Sequence, residues 1–560
     1  MIPKDVSDAI NSARAMAQKG DLSSARELLS RTLEVHPAQP PLANTAGNLA
    51  MRAGDLNAAE RLFAQAAQLE PGSAEYAINH AIALQRLGRS AEAISALTPI
   101  EEAGRKLPKY CNVRAACERE RDNLDQARKW YELSLSADRQ NARALHGRAR
   151  VAIESAEPDA RTRFDHALAV NPTEPDLWLG KAQALDVEGE VQGARSIAEQ
   201  LVQQAPGWAD GLKFLAQLKL GAGEEDFTEH YRNAVERVPD APAIWLDWIG
   251  LLGGLDHDAQ ATEVAAEARR KFPSEPLFAL LEAIHAGAAG DDDRAEAIFA
   301  NVSLGDVNRR VHEARHRIRR GEYERAEVLL NNAIESDRSN IAAWALTGIV
   351  WRLTGNPRGD WLHLQDNLFR QLPLEADAGV LEAAIPLLHR LHDNSPLPLS
   401  QSLRGGTQTR GRLFARTEPE LRRLHRAILE TLKRYQSELP EKEVEHPLLR
   451  HRDEIWRLEG SWSVRLSGGG DYHTSHIHPQ GVVSSALYVE RSGEEESEPH
   501  AGWLEIGRPP PDLRLDLEPL AVLPPKPGHL TLFPSTLYHG TRSFAAGRRM
   551  TVAFDVVPED

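Results

Sequence analysis

A short phrase recurs along the first 350 residues with a spacing close to 34. It is a glycine, then a polar or charged residue, then an alanine five positions after the glycine. It reads Gly20-Asp21…Ala25, Gly54-Asp55…Ala59, Gly88-Arg89…Ala93, Gly189-Glu190…Ala194, Gly290-Asp291…Ala295 and Gly321-Glu322…Ala326. Prolines keep the same beat at Pro37, Pro71, Pro172, Pro206, Pro239 and Pro273, each where a second helix should stop. The glycine permits a tight turn between antiparallel helices. The small alanine lets those helices approach closely. Apolar residues fall at helical spacing between the two marks, as in Ala25, Leu28, Leu29 and Leu33. One such helix pair cannot bury its apolar face alone, so the pairs must stack on one another.

This pattern resembles the tetratricopeptide repeat family over about residues 3–350, with roughly ten units. The resemblance implies a protein or peptide partner on the concave face of a superhelical solenoid. Trp245 and Trp248 suggest a ligand platform, but their spacing fits core packing better. The net charge of −16 disfavours phosphate backbones, so no nucleic acid partner is expected. No run of 18 apolar residues is present, so no membrane partner or span is expected. Met1-Ile2-Pro3-Lys4-Asp5 leads directly into an amphipathic pattern, without the apolar core of a signal peptide. Cys111 and Cys117 lie six apart on one expected helix and read as buried thiols. A cytoplasmic location is the matching expectation.

The texture changes after residue 355. Asn356-Pro357 breaks the helical pattern, one or two further helices follow Leu374, and a Pro-rich stop runs over 394–398. Residues 417–438 predict an amphipathic helix. Beyond it the period switches from 3.6 to 2 in Trp462–Leu466, Val482–Val489, Trp503–Ile506, Leu530–Phe533 and Met550–Val556. Short strands separated by Gly and Pro turns, preceded by helices, predict a jelly roll with helical buttresses.

Histidines crowd this β-rich part. His476 and His478 stand at i and i+2, which on an extended strand places both imidazoles on one face, half of a metal site. His539 follows in Phe533-Pro534-Ser535-Thr536-Leu537-Tyr538-His539-Gly540, at an expected sheet end. With Gly405-Gly406-Thr407-Gln408-Thr409, His476-Ile477-His478-Pro479, Ser485-Ala486-Leu487-Tyr488, Pro527–Ser535 and Arg549-Met550-Thr551, the segment over about 400–560 resembles the 2-oxoglutarate/Fe(II) oxygenase superfamily. The resemblance implies Fe(II), with 2-oxoglutarate and O2 as co-substrates. It makes His476 the first metal ligand and His539 the distal one. Arg549 would grip the far carboxylate of 2-oxoglutarate, with Thr551 in support, because a guanidinium binds a carboxylate through two parallel hydrogen bonds. Arg548 ranks second, and Tyr488 either faces the co-substrate or packs.

The departure from the family pattern is at 478, where His478 replaces the usual carboxylate ligand. Either three histidines bind the metal, or His476 and His539 bind it and water fills the gap. Asp471 is too far back along the strand to substitute. His473 is expected near the site but outside the ligand set.

The expected architecture is multidomain: an all-α tetratricopeptide-type solenoid over 1–350, a helical linker or cap over 351–399, and a double-stranded β-helix (jelly roll) over 400–560. The expected function is a 2-oxoglutarate-dependent dioxygenase that hydroxylates a protein or peptide recruited by the solenoid. The alternatives are an interaction scaffold with a degenerate oxygenase domain, and a small-molecule hydroxylase.

Overall fold

The computed structural model describes the chain except residues 1, 122, 156, 378, 394, 396–401, 417, 493–498 and 560. Apart from Ser395, the Pro-rich stop at 394 and 396–398 lies outside the described residues. The chain divides into two compact units, Met1–Ala184 and Leu185–Asp560.

The first unit is a succession of antiparallel helix pairs, beginning with Lys4–Gln18 and Leu22–Val35. The recurring phrase has a simple local meaning. Gly20, Gly54 and Gly88 adopt left-handed φ values of 90°, 78° and 77°. The next residue caps the second helix: Asp21 accepts from Ser24 N and Asp55 from Ala58 N. Ala25, Ala59 and Ala93 are fully buried where the two helices touch. Pro37 and Pro71 stand two residues beyond Val35 and Leu69, where those helices end. Neighbouring repeats are tied by amide side chains, with Asn79 donating to Asn44 Oδ1 at 2.9 Å and Asn44 to Glu75 at 2.9 Å.

The second unit begins with repeats of the same kind. Gly189, Gly290 and Gly321 are again left-handed, and Ala194, Ala295 and Ala326 are fully buried. Trp245 and Trp248 are core residues, 1% and 2% exposed. The repeat run ends with the helices Tyr323–Ser336 and Ile341–Thr354.

Two antiparallel sheets follow. Their strands are β1 (Arg370–Pro373), β2 (Leu403–Arg404), β3 (Thr407–Gln408), β4 (Trp456–Leu466), β5 (Tyr472–His476), β6 (Val483–Ser492), β7 (Leu504–Ile506), β8 (Ala521–Leu523), β9 (His529–Pro534), β10 (His539–Thr541) and β11 (Arg548–Pro558). The larger sheet has the order β1-β9-β6-β11-β4-β3, the smaller β2-β5-β10-β7-β8. Met550, Val552, Phe554 and Val556 of β11 face outward. They pack with Leu387 and Leu388 of the helix Val380–Asp393 and with Leu424, Ile428 and Tyr435 of the helix Pro419–Glu438. These are the helical buttresses. The alternate residues Arg549, Thr551, Ala553 and Asp555 therefore face the smaller sheet.

Two boundaries differ from expectation. Residues 351–399, expected as a helical linker, contain β1, which pairs with β9 from Arg370↔Leu532 to Pro373↔His529. Four residues with one buried side chain, Leu372, give too little alternation to read as a strand. The division between compact units also falls inside the repeat run, not at 350. Residues 185–354 are fastened to the β domain by charged groups. Asp512 accepts from Arg315 at 2.7 and 2.5 Å and from Arg319 at 3.0 Å. Arg514 grips Asp292 with both contacts at 2.7 Å.

Burial opposes charge on Asp512, but the guanidinium groups of Arg315 and Arg319 outweigh it and hold the carboxyl at about 2. Removing one partner of such a cluster leaves uncompensated buried cations. The Asp512→Ala variant should lose about 3 kcal/mol of stability in the second unit, measured by chemical denaturation. A loss below about 0.5 kcal/mol would contradict this account of the docking.

Candidate metal centre

The site begins with strand register. In the smaller sheet β5 runs antiparallel to β10, and His476 is the direct partner of His539. His478 lies just beyond the end of β5, two residues on. The ring centroids of His476 and His539 are 4.3 Å apart, and each is 5.0 Å from that of His478. One nitrogen from each ring falls in a group whose members are all within 4.8 Å of one another.

The outer nitrogens decide which way the lone pairs point. His476 Nδ1 donates to Thr474 O at 2.8 Å, His539 Nδ1 to Leu537 O at 3.2 Å, and His478 Nδ1 to Asp555 Oδ1. A ring that donates from Nδ1 as a neutral imidazole keeps its lone pair on Nε2. Burial first, and then the neighbouring imidazoles, hold His476 and His539 well below the usual histidine range, so both rings are neutral. The Nε2 atoms of His476 and His478 are 3.0 Å apart. Two imidazoles at right angles on an ion with bonds of ~2.1 Å stand ~3 Å apart, so the donor set fits a divalent metal.

The three histidines line a cavity of about 530 Å³ together with Trp462, Gln408, Tyr488, Thr551 and Asp555. Trp462 faces His478 at 5.6 Å between ring centroids. Gly254, the last residue of the repeat helix Pro242–Gly254, and Asp256, in the turn after it, line the same cavity. Asp256 has a left-handed φ of 61° and accepts from Arg404 of β2 at 2.8 Å. A second cavity, of about 520 Å³, lies between the repeat helices Val307–Arg319 and Ile341–Thr354 and the end of β5, and it shares His476 and Ile477 with the first.

Residues 460–555 match the family described as "Putative 2OG-Fe(II) oxygenase". The β-rich C-terminal part is similar to this family over those residues. Residues 44–108 and 157–218 match two tetratricopeptide repeat families. Among solved structures, a tetratricopeptide repeat protein from Parabacteroides merdae ATCC 43184 is 19% identical, over 43% of this chain and 96% of that one, with a TM-score of 0.37. PilF of Pseudomonas aeruginosa is 18% identical, over 38% of this chain and 97% of that one, with a TM-score of 0.34. None of the functionally curated proteins matches the chain.

Within the matched segment, Tyr488 and Thr551, the residues expected near the co-substrate, line the cavity. Burial raises the Tyr488 hydroxyl, and the nearby Arg549 charge partly offsets the rise. Arg549 is on the same face of β11 as Thr551 but is covered, 5% exposed. Its Nη2 donates to Ala501 O at 3.0 Å and its guanidinium stacks on Phe544 at 3.9 Å. Gly502 carries no Cβ to crowd this guanidinium, and its φ of 67° favours glycine. Arg548, the second choice, is exposed on the opposite face. Asp471 caps Ser467 N and stays outside the histidine group. His473 is linked to the site through Ser402, whose hydroxyl lies 3.2 Å from His473 Nδ1 and from His476 Nε2.

Sequence reasoning missed Asp555, Arg404 and Asp256. Asp555 had a usable signal: it is six residues after Arg549 on one strand and shares its face. Arg404 and Asp256 had none, being far apart in sequence and on different kinds of element.

The cavity wall also rests on neutral histidines. His392, on a buttress helix, bridges Thr407 Oγ1 at 3.0 Å and Ser463 Oγ at 2.9 Å. Burial lowers it from 6.5 to about 3, and burial lowers His473 from 6.5 to about 4. Folded pKa values below the unfolded one give stability that is complete above pH 6.5 and lost as pH falls toward 4 and then 3. Each group should cost ~1.4 kcal/mol per pH unit in that window. Calorimetry of the metal-free protein should therefore show a melting temperature that drops steadily below pH 6.5, and a flat profile would refute neutral burial.

Proposed function

We propose that the protein is a 2-oxoglutarate- and Fe(II)-dependent dioxygenase that hydroxylates a protein or peptide segment brought to it by the repeats. The observation that carries this reading is the set of three imidazoles, each tied outward through Nδ1, with one nitrogen from each ring gathered in a single group. His476, His478 and His539 would hold the iron on one face and leave the remaining positions open. Iron and 2-oxoglutarate supply the chemistry: decarboxylation of the keto acid to succinate activates O2 for insertion into a C–H bond.

The chain's own residues bind, orient and shield. Thr551 and Tyr488 line the cavity where the co-substrate would lie, and Arg549 supplies positive charge beside Tyr488. Trp462 and Leu504 form apolar wall that excludes water. The repeat-borne Gly254 and Asp256 in this wall support a division of labour in which the repeats present the substrate. The second cavity supports the same reading, because a chain segment lying between repeat helices and β5 would pass His476. The partner would be a protein or peptide on the concave face, and the setting the cytoplasm, in keeping with the free buried thiols Cys111 and Cys117.

His478 in place of a carboxylate favours a second reading, a scaffold whose oxygenase domain has lost its metal. One experiment separates the two. Purified protein supplied with Fe(II), ascorbate and 2-oxoglutarate should form succinate, and His476→Ala and His539→Ala should each reduce the rate at least ~100-fold. Full succinate formation in both variants would overturn the oxygenase reading, and none in the wild type would favour the scaffold.

A further inference from the structure

We propose that Asp555 is a positioning residue for the metal, placing behind His478 the negative charge that the three-histidine ligand set lacks. The inference rests on the oxygenase reading and deepens it. Among the described residues, the group of converging donor atoms contains His476, His478 and His539 and no carboxylate. Three neutral imidazoles leave a divalent ion with its full charge, whereas one carboxylate ligand would remove a unit of it.

The outer partners of the three rings are not alike. His476 and His539 lean on backbone carbonyls, Thr474 O and Leu537 O, which carry no formal charge. His478, which stands where the family resemblance places the carboxylate, leans on one instead: its Nδ1 donates to Asp555 Oδ1. The carboxylate has been moved one imidazole away from the metal position and is still connected to it.

The surroundings hold Asp555 in this orientation. β11 turns its side chain toward the smaller sheet, in line with Thr551 and Ala553. Ser484 of β6 donates to the same Oδ1 at 3.5 Å, and Ser484 is in turn bonded to Ser535 at 2.9 Å. Gly481 leaves room for the side chain, since a Cβ there would sit 3.1 Å from Asp555 Cβ. A carboxylate on the outer nitrogen fixes the tautomer, fixes the ring plane and makes Nε2 a stronger donor.

The test uses the full chain and Co(II), titrated calorimetrically into wild type, Asp555→Asn and Asp555→Ala, with absorption spectra of the cobalt complexes. Asp555→Ala should bind Co(II) about 10- to 100-fold more weakly. Asp555→Asn keeps an acceptor for Nδ1 without the charge and should fall between. The spectra should keep the wild-type ligand number, and metal-free melts would show that both variants are folded. Were Asp555→Ala to unfold, Asp555→Asn alone would decide, with wild-type affinity counting against the proposal. Loss of a cobalt ligand in Asp555→Asn would make Asp555 a direct ligand and overturn the positioning role. A wild type that binds cobalt beside variants of equal affinity would overturn this inference alone. A wild type that binds no cobalt would overturn the functional reading with it.

Discussion

The pairing of β5 with β10 is the constraint on which the site depends. Because the two strands are antiparallel and in this register, His476 and His539 become direct neighbours although 63 positions separate them. A slip of one residue would turn one imidazole to the other face of the sheet. His478 then needs only the strand end to bring its ring to the pair. The larger sheet serves this arrangement from the opposite side: β11 presents Arg549, Thr551 and Asp555 inward while Met550, Val552 and Phe554 anchor the strand to the buttress helices.

Electrostatics make the arrangement coherent. Converging lone pairs of neutral buried imidazoles repel one another, and a divalent ion resolves that repulsion. The protein keeps His476 and His539 neutral by burying them and orients all three rings with acceptors on their outer nitrogens. The repeats of the second unit are part of the same assembly. Asp512, Asp292 and Asp256 each exchange ion pairs across the join between helices and sheets. A loop of the array thereby reaches the rim of the metal cavity.

Much of this was legible in the sequence because it rests on local rules. The glycine, capping residue and alanine each have one local job, and the structure repeats it at Gly20-Asp21…Ala25 and Gly54-Asp55…Ala59. The switch from period 3.6 to period 2 located the sheets, and the spacing of His476 and His478 located the metal candidates. What was not legible depends on contacts between distant segments. β1 is too short and too polar to announce itself and exists because β9 offers it an edge. The compact units divide at 184, inside the repeat run, and no periodicity encodes that. Asp555 was readable by strand parity, but its meaning appears only once His478 is beside it. Arg549 shares its strand face with Thr551, while its cover by Phe544 and Gly502 comes from a turn the pattern did not connect to it.

The central claim is that His476, His478 and His539 form an iron centre able to chelate 2-oxoglutarate. It is tested most directly by anaerobic titration of Fe(II) and 2-oxoglutarate into the purified protein, watching for the weak visible charge-transfer band of an Fe(II)–keto-acid chelate. The account predicts a saturable band in the wild type that is absent in His539→Ala and needs far more 2-oxoglutarate in Arg549→Ala. A wild-type protein that gives no band and retains no iron would contradict it.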